Sequence, residues 1–174
     1  MIYCSMKIAE EGHECMDKTK PVRINVETVE RNADIMSSMT ESEVRIGTIE
    51  KKGTGFLLSY DEIITEDGSQ LERTQVKLHL SHERVMMMRE GDYSTIMVFD
   101  RRQPYEGMYR TPFGEMPIHI QTVNVEALCR LDEGSVHLEY EVSIGDPSYR
   151  SYRILNLKYA PVSAGEDEHE ESAE

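Results

Sequence analysis

Apolar residues recur at every second position through most of the stretch from 21 to 161, the period of a β-strand with one face in a core. In VRINVETV, Val22, Ile24 and Val26 share a face. EVRIGTI repeats the pattern with Val44 and Ile46, which predicts that these two point inward. GFLLSYDE presents Phe56, Leu58 and Tyr60, and TQVKLHLS presents Val76, Leu78 and Leu80 opposite Gln75, Lys77 and His79. The clearest run is SVHLEYEVSIG, with Val136, Leu138, Tyr140, Val142 and Ile144 on one side and His137, Glu139, Glu141 and Ser143 on the other. YRSYRILNLKYA closes the series with Leu155, Leu157 and Tyr159 in phase. Two runs, RVMMMRE and YSTIMVFD, are apolar on both faces. The only stretch with helical spacing is 31–41, where Ile35 and Met39 stand four apart; it is short and Ser-rich, and reads as a long loop with at most one helical turn.

Turn signals separate these runs: Asp67-Gly68, Gly91-Asp92, Glu133-Gly134 and Gly145-Asp146-Pro147. Glycine and aspartate tolerate the backbone angles of tight hairpins. Short connections pair neighbouring strands antiparallel. About nine or ten such strands with little helix predict an all-β fold. A meandering order favours a single antiparallel β-barrel of about 8–10 strands, because closure removes exposed sheet edges. Residues 21–161 form that barrel domain, 1–20 an N-terminal arm, and 162–174 an acidic disordered tail ending SAGEDEHEESAE. In YRTPFGEMPIHIQTVNV, Thr111-Pro112-Phe113-Gly114 reads as a turn near a barrel end. Pro117 belongs at an edge or a bulge, since it has no N–H to give to a ladder.

The formal net charge of −14 disfavours nucleic acid, and the only basic clusters are the pairs Lys51-Lys52 and Arg101-Arg102. No apolar run approaches a membrane span, and the N-terminus lacks a basic start followed by an apolar segment. The expectation is a cytoplasmic protein without membrane contact. Three cysteines, Cys4, Cys15 and Cys129, make no disulfide framework, and His13-Glu14-Cys15 fits no zinc spacing. We expect no metal and no cofactor. The doubly apolar 84–99 hairpin needs cover on its outer side, from the arm or from a second copy in a homodimer.

His79, His119 and His137 each alternate with polar neighbours, which marks them as surface residues, and His82 falls in a turn. No nucleophile elbow, phosphate-binding glycine loop or His-Glu-x-x-His occurs, so no catalytic residue is assigned. Four polar residues share the apolar phase of their strands and point into the barrel: Tyr60, Arg89, Tyr140 and Arg153. Tyr109, leading into the turn at 111–114, completes a candidate ligand-binding set. An inward arginine requires an anionic partner, supplied by a bound carboxylate or phosphate or by an internal glutamate. An interior filled by side chains alone is the simpler alternative to a pocket.

The order of several stretches also matches a known pattern. GTGF (53–56) is followed by Tyr60 and Glu62, Thr74 and Lys77, VMMMREG (85–91), IMVF (96–99), YRTPFG (109–114), LEYEV (138–142) and ILNLKY (154–159). This series, across about residues 21–160, resembles the YwiB-like family of bacterial proteins, a domain of unknown function. The order, rather than any one motif, carries the likeness. The resemblance implies a calycin-like barrel, related in shape to lipocalins, and no established activity or functional residues. The chain has no Trp, so it lacks the Gly-x-Trp that marks the first strand of lipocalins, and their transport role is not carried over. The combined expectation is a non-catalytic binding or interaction protein holding a small anionic ligand. The alternative is an enzyme using a histidine and a carboxylate at the barrel mouth. A lumen lined by Arg89 or Arg153 without histidine separates the two.

Overall fold

The computed structural model describes residues 19–32, 37–66 and 70–162. The arm through residue 18, with Cys4 and the His13-Glu14-Cys15 cluster, and the acidic run 163–174 lie outside the described residues. Ten strands follow one another: β1 (Lys20–Asn32), β2 (Ser37–Lys52), β3 (Gly55–Glu66), β4 (Gln70–Ser81), β5 (Arg84–Glu90), β6 (Ser94–Asp100), β7 (Tyr105–Thr111), β8 (Gly114–Cys129), β9 (Gly134–Ile144) and β10 (Ser151–Pro161). Each pairs antiparallel with its neighbours in sequence, and β1 closes the ring onto β10, from Val22 opposite Pro161 to Asn32 opposite Ser151. The expected all-β antiparallel barrel is therefore present, with ten strands. No helix among the described residues is long and apolar enough to cross a membrane.

The meander puts the turns at two ends. The β1–β2, β3–β4, β5–β6, β7–β8 and β9–β10 connections lie at one end, called upper here. The other four connections, and the start of β1 and end of β10, lie at the lower end. The lower interior is filled. Ile24, Ile49, Leu58, Leu78, Phe99, Ile120, Leu138 and Leu157 are fully buried there. Alternation explains this, because every second residue of a barrel strand points inward. Polar groups seal the lower rim. The Tyr159 hydroxyl donates to the Arg130 carbonyl at 2.8 Å and accepts from the Arg130 amide at 3.2 Å. The buried Asp100 carboxylate accepts from the Arg102 amide (2.9 Å), Nε (3.0 Å) and Nη2 (3.1 Å). These bonds, led by the guanidinium's, hold the Asp100 carboxyl below its ordinary range.

Two sequence expectations are corrected. Within 31–41 the described residues, 31–32 and 37–41, are strand rather than loop, and 33–36 lie outside the described residues. Arg31 and Asn32 belong to β1 and pair with Ser38 and Ser37, so β1 and β2 form one long hairpin. The pairing partner, not local propensity, sets this backbone. Val44 and Ile46 face outward and are 49% and 61% exposed; Glu43, Arg45, Gly47 and Ile49 point inward instead. The register is decided by Gly47, opposite both Val22 and Tyr60. A Cβ there would meet the Ser59 carbonyl and lie 2.7 Å from Ile24 Cδ1, so only glycine lets β1 and β3 close over it. Pro117 lies at an edge, as expected: β8 pairs with β9 only from Ile118 onward, and the β-bulge of β8 lies farther along, between Thr122 and Asn124. Pro117 ends the β8–β9 ladder, where its carbonyl accepts from Gly145 at 2.8 Å and its missing N–H forfeits a single bond.

Candidate functional site

The upper half of the barrel is open, with a cavity of about 570 Å³. That is within the range of small-molecule sites. Tyr60 and Tyr140 line it next to the packed half. The Tyr140 ring packs on Phe99 at 4.8 Å between centroids, tilted by 60°. Burial pushes both phenols above their ordinary range, and for Tyr140 the Arg153 guanidinium beside it works the other way. Both hydroxyls thus stay protonated and offer a donor.

The walls differ in character. One arc carries charge: Arg153 on β10, Glu30 on β1, Glu41, Glu43 and Arg45 on β2, Glu62 on β3 and Arg89 on β5. The opposite arc, β6 to β9, is almost free of charge, with Thr95, Met97, Tyr109, Ile118, Val142 and Ile144. Each arginine meets a glutamate through its Nη2. Arg153 reaches Glu30, its direct cross-strand neighbour, at 3.0 Å. Arg45 reaches Glu43 at 2.6 Å, and Arg89 contacts Glu62. In all three the Nε is buried and has no acceptor among the described residues. An unmet buried donor costs about 1–3 kcal/mol. Three arginines that each carry such a donor line this one chamber.

All five residues singled out from the sequence, Tyr60, Arg89, Tyr109, Tyr140 and Arg153, line this one cavity. The internal-glutamate alternative for the arginines is realised in Glu62 and Glu30. Sequence reasoning missed Arg45, Glu41 and Glu43 by placing β2 in the opposite phase. Glu62 and Glu30 had a usable signal, since they continue the phases of Phe56-Leu58-Tyr60 and Val22-Ile24-Val26.

Among the described residues no histidine lines the cavity. His79 is on the outer face of β4, and His82 is in the β4–β5 turn at the lower end, away from the open mouth. His119 on β8 faces Glu106 at 3.5 Å across the outer wall. His137 on β9 meets Glu139 at 2.9 Å, again outside. The turn at 111–114 stands at the upper end, with Phe113 almost wholly exposed and its amide donating to Thr111 Oγ1 at 3.1 Å. On the outer face of β5 and β6, Met86, Met88 and Val98 are half-buried, and Ile96 is exposed.

Comparison with known proteins adds the family. Nothing among curated proteins matches the chain. A solved structure, described as "Crystal structure of ywiB protein from Bacillus subtilis", superposes with a TM-score of 0.72 at 18% identity, covering 83% of this chain and 94% of that one. This likeness concerns the fold. A family profile, "Domain of unknown function (DUF1934)", matches residues 24–155, from β1 into the first half of β10. With the profile spanning the barrel and the fold shared with ywiB, the chain belongs to the DUF1934 family, as the resemblance of its strand series to YwiB-like proteins implied.

Proposed function

We propose that the upper chamber binds a small ligand bearing an acidic group, and that the protein acts by binding rather than by catalysis. The observation that carries this reading is the convergence of three arginines, Arg45, Arg89 and Arg153, on a single cavity, each with an Nε–H that has no acceptor among the described residues. A carboxylate, phosphate or sulfonate supplies the acceptors they lack, and charge-assisted hydrogen bonds to such groups are among the stronger polar contacts. Nε and Nη2 share one edge of each guanidinium, as Asp100 on Arg102 shows, so the ligand's acid sits beside the glutamate oxygen already held by Nη2. The uncharged arc from Met97 to Ile144 takes the apolar body of the same ligand. A lining without histidine supports binding over acid–base chemistry.

The test uses two fluorescent probes with nearly the same apolar body. One, 1-anilinonaphthalene-8-sulfonate, carries an acid; the other, N-phenyl-1-naphthylamine, does not. The sulfonate is expected to bind saturably at one site. Arg89→Met and Arg153→Met are each expected to weaken it at least tenfold, while the uncharged probe binds all three proteins alike and so reports that the chamber is intact. Sulfonate binding that is absent, or indifferent to both substitutions, overturns the reading.

A further inference from the structure

The charge balance of the chamber narrows the ligand further, an inference that rests on the acid-binding reading above. Three arginines face four glutamates around the lining, leaving one formal negative charge in excess. Glu30, Glu43 and Glu62 are each engaged by an arginine. The fourth, Glu41, lies at the exposed end of the charged arc with no cation within ion-pair distance among the described residues. It shares the inward face of β2 with Glu43 and Arg45 and pairs across to Thr28.

A simple anion therefore meets guanidiniums that are already neutralised, in a chamber whose remaining charge has its own sign. Like charge in a partly desolvated site disfavours entry. A ligand that also carries an ammonium group removes this conflict: its acid satisfies the orphan Nε–H donors, and its cation answers Glu41. The chamber's geometry suits such a ligand, because both charged groups fall on the same arc and the apolar body is left to the opposite wall. We propose that the ligand is a zwitterion of amino-acid type with an apolar side chain, its acid held by Arg89 and Arg153 and its ammonium by Glu41.

Calorimetry with three compounds that share one apolar body tests this: 3-(2-naphthyl)-L-alanine, 3-(2-naphthyl)propionate and 2-(2-naphthyl)ethylamine. The amino acid is expected to bind at least tenfold more tightly than the acid, and the amine to bind weakest. Glu41→Gln, at an exposed position that leaves the core untouched, is expected to erase the advantage of the amino acid while leaving the affinity for the acid equal or higher. Equal binding of amino acid and acid to the unsubstituted protein overturns the zwitterion and leaves the acid reading standing. An amine that binds as well as the amino acid overturns both. A preference for the amino acid that survives Glu41→Gln removes Glu41 from its assigned role and overturns the proposal as stated.

Discussion

The two halves of the barrel are built on the same strands and the same alternation, yet they do opposite work. Below Tyr60 and Tyr140, the inward positions carry Ile24, Ile49, Leu58, Leu78, Ile120, Leu138 and Leu157, all fully buried. Above them the same strands carry Glu30, Arg45, Glu62, Arg89 and Arg153 around a chamber. A single strand makes the change within a few residues: β10 runs from Arg153 through Leu155 to Leu157, from chamber to core. Closure of the barrel needs only that inward side chains be tolerated. Stability needs that they bury apolar surface. The lower half meets both demands, which frees the upper half to hold charged groups that weaken a core, the groups to which we assign the proposed ligand.

A matched pair of substitutions on β8 gives the largest expected effect. Ile120 and Ile118 are two residues apart, both inward and both buried, but only Ile118 lines the chamber. Ile120→Ala opens a void in close-packed surroundings, and we expect a loss near the upper end of the range of about 2–5 kcal/mol for such truncations. Ile118→Ala enlarges a space that already exists, and we expect a loss near about 2 kcal/mol, the lower end of that range. Urea denaturation of the two variants measures the difference. Equal losses would mean that the halves are packed alike.

Filling the chamber should reverse the sign. Val142 is buried on the inner face of β9 and lines the cavity. Val142→Phe puts a ring into open space, and cavity filling of this kind commonly adds about 0.5–2 kcal/mol of stability. The same change is expected to abolish binding of 1-anilinonaphthalene-8-sulfonate. A stabilised variant that still binds the probe would place the ligand outside the upper half.

This division also explains what was legible in the sequence. Where the inward phase is apolar, alternation reveals the strand, and a polar residue in that phase stands out; Tyr60, Tyr140, Arg89 and Arg153 were found this way. On β2 the rule inverts. Its inward face is Glu41, Glu43, Arg45 and Gly47, and its β-branched Val44 and Ile46 point to solvent. A pattern reader takes the apolar phase for the core and loses Glu41, Glu43 and Arg45 from the charged arc. β-Branched residues suit a pleated strand whether or not they are covered, so their presence marks the strand but not its face. The start of β2 was illegible for a related reason: Ser37, Ser38 and Thr40 carry no apolar signal, and only the β1 partner holds them extended. The ion pairs were out of reach altogether, since Glu62 and Arg89 meet across β4, and that contact follows from closure and register.

The smallest expected effect lies on the outer wall, where it separates the stability of the barrel from the chemistry of its chamber. His137 sits between two acceptors, with Nδ1 2.6 Å from Asn156 Oδ1 and Nε2 2.9 Å from Glu139 Oε1. The Asn156 amide is oriented by its Nδ2, which donates to Glu27 at 3.1 Å. With an acceptor at each nitrogen the charged imidazolium is favoured, so bonding to Asn156, and then to Glu139, raises the His137 pKa. The Tyr152 hydroxyl and then His137 lower that of Glu139. The signs are opposite. The histidine's contribution to stability is complete below its ordinary value of 6.5 and fades as the pH climbs through its raised folded value. The glutamate's contribution is complete above its ordinary value of 4.5 and fades as the pH falls through its lowered folded value. This cluster therefore contributes most between those two ordinary values, and solvent screening at the half-exposed wall keeps the contribution small. His137→Gln is expected to flatten the decline in unfolding free energy on the alkaline side and to leave the acid side nearly as it was. Sulfonate affinity, measured on both proteins between about pH 6 and about pH 8, where histidine titrates, is expected to be the same. If affinity instead follows His137, the outer wall and the chamber are coupled, and the separation of stability from binding within one barrel does not hold.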